Sequence, residues 1–351
     1  MLYFQKKEEN NMINKRIRDL REDNDKTQKE GKIGTEDNAV INVGKRLTNK
    51  GEILTAEDLS IDSGNVLNSG DFVSGGNLKV SVTDTFASSE GQIVANRKME
   101  LTAGNVELSG GEVLGGDIGT FATTKGQFSS LANISILKDA SFVIADNLLL
   151  GGTFANGGKS SFNVACDFEN SSNFVTDKDL IITAENIINT GKITVVGENE
   201  FTANKDFSNS GEIINISDST YSVKGTLNNS GLLNAANNYL EAGELDNINS
   251  GRIYGDDIFI KATTINNVTE EGSSSSPVIA SRNDLKIETK EITNKDKAQL
   301  FALNDMEITA KVLNNYSASI ETGNDLTLNV GTVNNQDIHF EISDELEEIG
   351  L

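Results

Sequence analysis

The side chains able to do chemistry are paired acids, a single histidine, a single cysteine and a recurring asparagine. Asp256-Asp257, Asp177 with Asp179, and Glu198 with Glu200 offer neighbouring carboxylates, the arrangement that cleaves glycosidic bonds when one acts as acid and the other as base or nucleophile. Such a site also needs a groove and a cationic or metal partner. With 53 Asp and Glu in the chain, close acid pairs are expected of any solvated surface, so none is assigned a catalytic role. Neither an EF-hand loop nor the nonapeptide calcium repeat is present, and the glycines do not form a phosphate loop. His339 stands in Ile338-His339-Phe340-Glu341 and is expected on a surface strand rather than as a triad base or zinc ligand. Cys166 closes the alternating stretch Phe162-Asn163-Val164-Ala165-Cys166 and reads as a small core residue; being alone, it forms no internal disulfide. With no Trp and five Tyr, stacking platforms for sugars are scarce. No catalytic residue, cofactor or metal follows, and the chain is read as non-enzymatic.

The asparagines are different, because they keep an interval. Asn189-Thr190-Gly191-Lys192-Ile193, Asn209-Ser210-Gly211-Glu212-Ile213, Asn229-Ser230-Gly231-Leu232-Leu233 and Asn249-Ser250-Gly251-Arg252-Ile253 stand 20 residues apart. Between them recur the apolar pairs Phe201/Ala203, Tyr221/Val223, Leu240/Ala242 and Ile260/Ala262, each two apart and so on one face of a strand. A fixed period of this length without helical spacing marks a solenoid. The chain is therefore all-β, a parallel β-helix of about 20 residues per coil in which residue i sits over i+20. An amide carries both donor and acceptor, so Asn189, Asn209, Asn229 and Asn249 are expected to bond along the axis as a structural ladder. Gly191, Gly211, Gly231 and Gly251 are expected to supply positive φ at a corner. The alternative, hairpin turns of a sandwich, does not explain the constant interval.

Length and charge agree with an elongated body. A repeat array of 351 residues needs no division into globular domains. One Pro and 32 Gly, with abundant Thr, Val and Ile, suit strands with frequent turns. The formal charge is −23. That excess disfavours nucleic acid and anionic membranes and serves the solubility of a flat, edge-bearing molecule. No stretch is apolar enough for a membrane span, and the first residues lack the apolar core of a signal peptide.

In chain order, residues 1–33 form a charged leader whose apolar stripe of Ile13, Ile17 and Leu20 suits a helical cap or a disordered linker. Residues 34–342 carry the repeat, with a degraded phrase over 105–175 where bulges or side excursions are expected. A polar tract near 266–281 reads as an exposed excursion. Residues 343–351 form an acidic C-terminal tail. About fifteen coils result, a rod of roughly 70 Å.

The strand phrases Gly76-Asn77-Leu78-Lys79-Val80, Leu101-Thr102-Ala103-Gly104-Asn105-Val106 and Asp179-Leu180-Ile181-Ile182-Thr183-Ala184, the last running on through Asn186 to Gly191, resemble the haemagglutinin repeats of the filamentous haemagglutinin family. These are two-partner-secretion exoproteins of Gram-negative bacteria, including contact-dependent growth-inhibition proteins, adhesins and cytolysins. The resemblance covers most of residues 34–340 and implies a right-handed parallel β-helix that is secreted or displayed at the bacterial cell surface. It further implies a host-cell or target-cell surface receptor and an outer-membrane transporter as partners of a longer parent protein, of which this chain is a fragment. A scaffold segment of a secreted toxin and a β-helix polysaccharide lyase are the other functions this scaffold serves. Adhesins of this kind can be glycosylated at Asn-x-Ser/Thr, and Asn133, Asn215, Asn267 and Asn315 head such triplets.

Overall fold

The computed structural model describes residues 31–339, and all of its regular structure is β. Each coil supplies three strand segments, as in Gln92–Ala95, Met99–Ala103 and Asn105–Leu108. The first segments stack into a 15-stranded sheet, and the second and third share a sheet of 23 strands because in several coils they fuse, as in Ser219–Asn229. Fifteen coils and an interval near 20 make this a parallel β-solenoid, as the period required. Ile193 lies over Ile213, Phe201 over Tyr221, and Ile187 over Phe207.

The stacking follows from the sequence. Within a strand alternate residues face opposite sides, so Lys192–Val195 and Asn199–Ala203 each turn one set inward. No coil pairs its own strands. Strand N–H and C=O groups therefore find their partners one coil away, and plain corners follow: Ser210 N donates to Asn189 O and Ser230 N to Asn209 O, both at 2.9 Å, whereas Gly251 N donates locally to Ile248 O at 2.8 Å. The core is one continuous column from Ile53 to Leu313.

Residues 105–175 are corrected. No excursion occurs there; Val113 pairs with Ile134, Ile134 with Phe154 and Phe154 with Phe174 without interruption. The phrase degrades because another cohesion replaces it. Phe121, Phe142 and Phe162 stack at centroid distances of 4.6 Å, Phe154 on Phe174 at 4.5 Å, and Phe128 and Phe168 meet them edge-on. The register shifts fall elsewhere, between Val43 and Arg46 and between Val223 and Thr226.

Two boundaries also move. Lys32–Thr35 pairs with Glu52–Thr55, so Lys32 and Ile33 belong to the first coil and not to the leader. The strand Asp257–Val268 runs into the expected excursion, which narrows to residues 269–277 before Val278–Ser281 resumes the sheet. The helical-cap expectation rests on residues before 31, and the acidic tail begins at 343; both lie outside the described residues. Among the described residues no helix is long and apolar enough to cross a membrane.

Candidate interaction surface

The asparagine column is built where the third strand of each coil ends on an inward-facing residue. Asn189 Nδ2 donates to Asn209 Oδ1 at 2.7 Å and Asn209 Nδ2 to Asn229 Oδ1 at 2.8 Å, all three side chains being buried. The next rung is Asn247, which accepts from Asn229 at 2.9 Å, and the chain continues through Asn267, Asn294 and Asn315 to Asn335. Every amide points its donor the same way along the axis, so each bond aligns the next. Below Asn189 the column includes Asn170, then Leu150, Ser130, Leu108 and Ser88 on the aromatic coils, and Asn68 and Asn49 at the first.

Asn249 is not a rung, although the 20-residue interval includes it. Its φ is 54° and its Nδ2 donates outward to Glu270 Oε2 at 2.7 Å. Two local changes cancel in the sequence. Past the Val223/Thr226 irregularity the column advances 18 residues, from Leu227 to Leu245, and the following corner then lengthens, so Leu232 still pairs with Arg252. Among sequence signals, only the apolar pair drawn closer to its Asn records the shift.

The corner glycines are corrected as well. None of Gly191, Gly211, Gly231 and Gly251 adopts positive φ; the glycines that do are Gly31, Gly91, Gly111 and Gly272. Their requirement is axial contact. A Cβ on Gly211 would lie 2.0 Å from Gly191 O, one on Gly231 2.1 Å from Gly211 O, one on Gly191 2.3 Å from Ser172 O and one on Gly251 2.4 Å from Asn229 O.

The acid pairs serve the stack. Asp179 Oδ1 accepts from Glu198 N at 3.3 Å, Asp257 Oδ1 from Asn283 Nδ2 at 2.7 Å, and Asp256 pairs with Arg282 at 2.5 Å on exposed surface. Asp177 is half-buried, and Glu198 and Glu200 are exposed. Among the described residues no three His, Cys, Asp or Glu converge as a metal-ligand set. Cys166 is half-buried; lost solvation, reinforced by Asp146, pushes its thiol up, away from thiolate reactivity. Of the glycosylation triplets, Asn133 alone is exposed; Asn215 and Asn267 are buried and Asn315 is a rung, so a glycan there would break the column.

The surface departs from plain coils at one place. From Asn209 to the next core residue, Ile213, is four residues, whereas from Asn247 to Ile253 and from Asn294 to Leu300 it is six. All the described non-glycine residues with positive φ sit on this widened corner: Asn249, Asp296, Lys297 and Ser317. Asn249 and Asp296 enter the left-handed region at little cost, whereas Lys297 and Ser317 are strained there by roughly 1–3 kcal/mol each. The excursion 269–277 folds over the corner and is pinned from both sides. Asn249 holds Glu270, Arg252 Nη1 donates to Ser276 O at 2.8 Å, and Thr269 donates to Asp296 O. Together they enclose a groove lined by Glu270, Glu271, Ser273, Ser274, Lys295 and Lys297. His339, exposed in a turn, closes one end through Asp296 Oδ1 at 2.7 Å. Carboxylates, ammonium groups and hydroxyls thus border a cleft suited to hydrogen-bonded recognition.

Comparison with protein families gives a match to the haemagglutinin repeat, in four overlapping segments at residues 19–73, 73–158, 123–211 and 194–347. Comparisons with curated proteins and with solved structures return no match.

Proposed function

From the premise that the chain belongs to the haemagglutinin-repeat family, we propose that it is a non-enzymatic shaft segment of a large secreted exoprotein, mediating or presenting contact with host or neighbouring cells. The parent protein is exported through an outer-membrane transporter and stands at the bacterial cell surface. The shaft's mechanism is geometric: coil number sets reach, and continuous ladders and stacked rings set stiffness. The observation that carries a contact role is that three of the four described non-glycine residues with positive φ, Asn249, Asp296 and Lys297, border the one pinned excursion. Strain retained at a surface corner is a mark of a recognition site, and here it shapes the Glu270–Lys297 groove.

The test uses the full chain against a chain whose residues 269–277 are replaced by a short Gly-Ser link. Both should give the same β-rich circular dichroism spectrum, and only the intact chain should bind cells bearing the receptor. Equal binding by both would remove the groove from the contact role, and binding by neither across host and bacterial cell types would leave a passive shaft. Turnover in a polysaccharide depolymerase screen, abolished by Asp256→Asn, would overturn the non-enzymatic reading.

A further inference from the structure

Every inner coil hides its strand edges and inward side chains against a neighbour on each side, whereas the first and last described coils have a neighbour on one side only. Among the described residues Lys32–Thr35 pairs with Glu52–Thr55 alone and Ala39–Asn49 with Leu59–Asn68 alone. Ser319–Thr322 likewise pairs with Gln299–Ala302 alone and Leu326–Gln336 with Met306–Tyr316 alone. The inward columns are left open as a result. Met306, Ile308 and Leu313 are buried, but Leu326, Leu328 and Val333, which stack on them, are 44%, 40% and 50% exposed. At the other end Ile33 is 56% exposed over buried Ile53. An apolar face rimmed by unpaired N–H and C=O groups is a template for another strand.

We propose that the last coil of one copy seats the first coil of a second, so that the chain associates head to tail as a continued solenoid. The two faces fit in register. Aligning Ile320 with Ile33 sets Leu326 over Ala39, Leu328 over Ile41 and Val330 over Val43. Past the step between Val43 and Arg46, where this strand already shifts by one residue against its own neighbour, Val333 falls over Leu47 and Asn335 over Asn49. Polarity fits as well. Along the asparagine column each Nδ2 donates toward the following coil, from Asn315 to Asn335 at 2.8 Å and from Asn49 to Asn68 at 2.9 Å. Asn335 thus presents a donor where Asn49 presents its Oδ1, which meets Gly51 N at a long 3.3 Å. At an outer corner the direction reverses: Asp58 N donates to Asn38 Oδ1 at 2.9 Å and Asp325 N to Asp305 Oδ1 at 3.1 Å, so the junction brings Asn38 N to Asp325 Oδ1. Charge selects a second copy over the chain's own flanks. Residues 1–50 hold 12 Lys and Arg against nine Asp and Glu, whereas residues 319–351 hold eight Asp and Glu and no Lys or Arg. Each face therefore shares the sign of the residues adjoining it in sequence and opposes the sign of the other face. Other approaches set one acidic body of charge −23 against another. Because the two faces differ, the contact is heterologous and does not close, and copies add along one axis.

The experiment is sedimentation of the full chain over a range of concentrations, with trapping and blocking variants. The full chain should form a series of oligomers that lengthens with concentration, seen in electron micrographs as rods in multiples of roughly 70 Å at constant width. Val40 and Thr327 are exposed outward residues that align at the junction but stand at opposite ends of one chain. Val40→Cys with Thr327→Cys, in a Cys166→Ala background, should give a ladder of disulfide-linked oligomers under mild oxidation, and either cysteine alone should not pass a dimer. Leu328→Lys and Ile41→Lys each block one face. Each should weaken association more than tenfold with an unchanged circular dichroism spectrum, and an equimolar mixture should form heterodimers through the face each retains. A full chain that stays monomeric at its highest soluble concentration, or a cysteine pair that yields no oligomer, would overturn the proposal. So would association undiminished by either block, or two folded, blocked variants whose mixture stays monomeric.

Discussion

At the scale of single residues, neighbours of the same type in the sequence have opposite fates. Asn209→Ala would strip Asn189 of an acceptor and Asn229 of a donor in the buried column, so unfolding in urea should show a loss of about 2–4 kcal/mol. Asn249→Gly, on the same 20-residue interval, should change stability by at most ~0.5 kcal/mol, because its contacts face solvent and Gly accepts its backbone. Gly211→Ala forces a methyl group against Gly191 O at 2.0 Å and should cost more than ~3 kcal/mol, read as a fall in melting temperature or insoluble expression. Tyr221 gives the pH prediction. Its ring is fully buried against Phe201 at 5.1 Å, and its hydroxyl, turned toward Ser219, completes no hydrogen bond of normal geometry. Burial pushes the phenol well above its ordinary value near 10. The native state therefore keeps a proton that the unfolded chain releases, and stability present below about pH 10 is lost as pH rises beyond it. Tyr221→Phe should leave stability near neutrality unchanged or higher and flatten that alkaline loss in urea titrations at pH 9–11.

At the scale of elements, two devices in different inward columns hold successive coils together. Rings dominate from Phe121 to Phe174 and amides from Asn170 onward. Phe142 stacks on both Phe121 and Phe162. Phe142→Ala should cost about 3–5 kcal/mol and, because contacts reach only adjacent coils, should raise hydrogen exchange there more than near Asn294. The strand positions and inward alternation were legible in the sequence because a side chain's face is fixed by parity. The excursion was legible too, from its Ser run and Pro277. Its edges were not, since Asn266 and Asn267 read as polar loop residues while Asn267 is a buried rung whose amide is satisfied by Asn247 and Asn294. Composition cannot separate an asparagine that solvates a loop from one that bonds to its own copy a coil away.

At the scale of the whole molecule, fifteen rungs at about 4.8 Å predict a rod of roughly 70 Å for the described residues. Small-angle scattering of the full chain should give the cross-section profile of a rod, and a compact globular profile would contradict the stack. The sequence by itself determined the all-β solenoid, its coil length and the identity of its core faces, because periodicity of 20 and alternation of two are local properties of the chain. Only the tertiary structure decided which asparagines are rungs and why the corner glycines tolerate no side chain. Those facts depend on which atoms of adjacent coils meet along the axis. One residue lost before the second strand, another at the irregularity within it and two gained at the following corner leave the sequence interval intact while changing the axial neighbours between them.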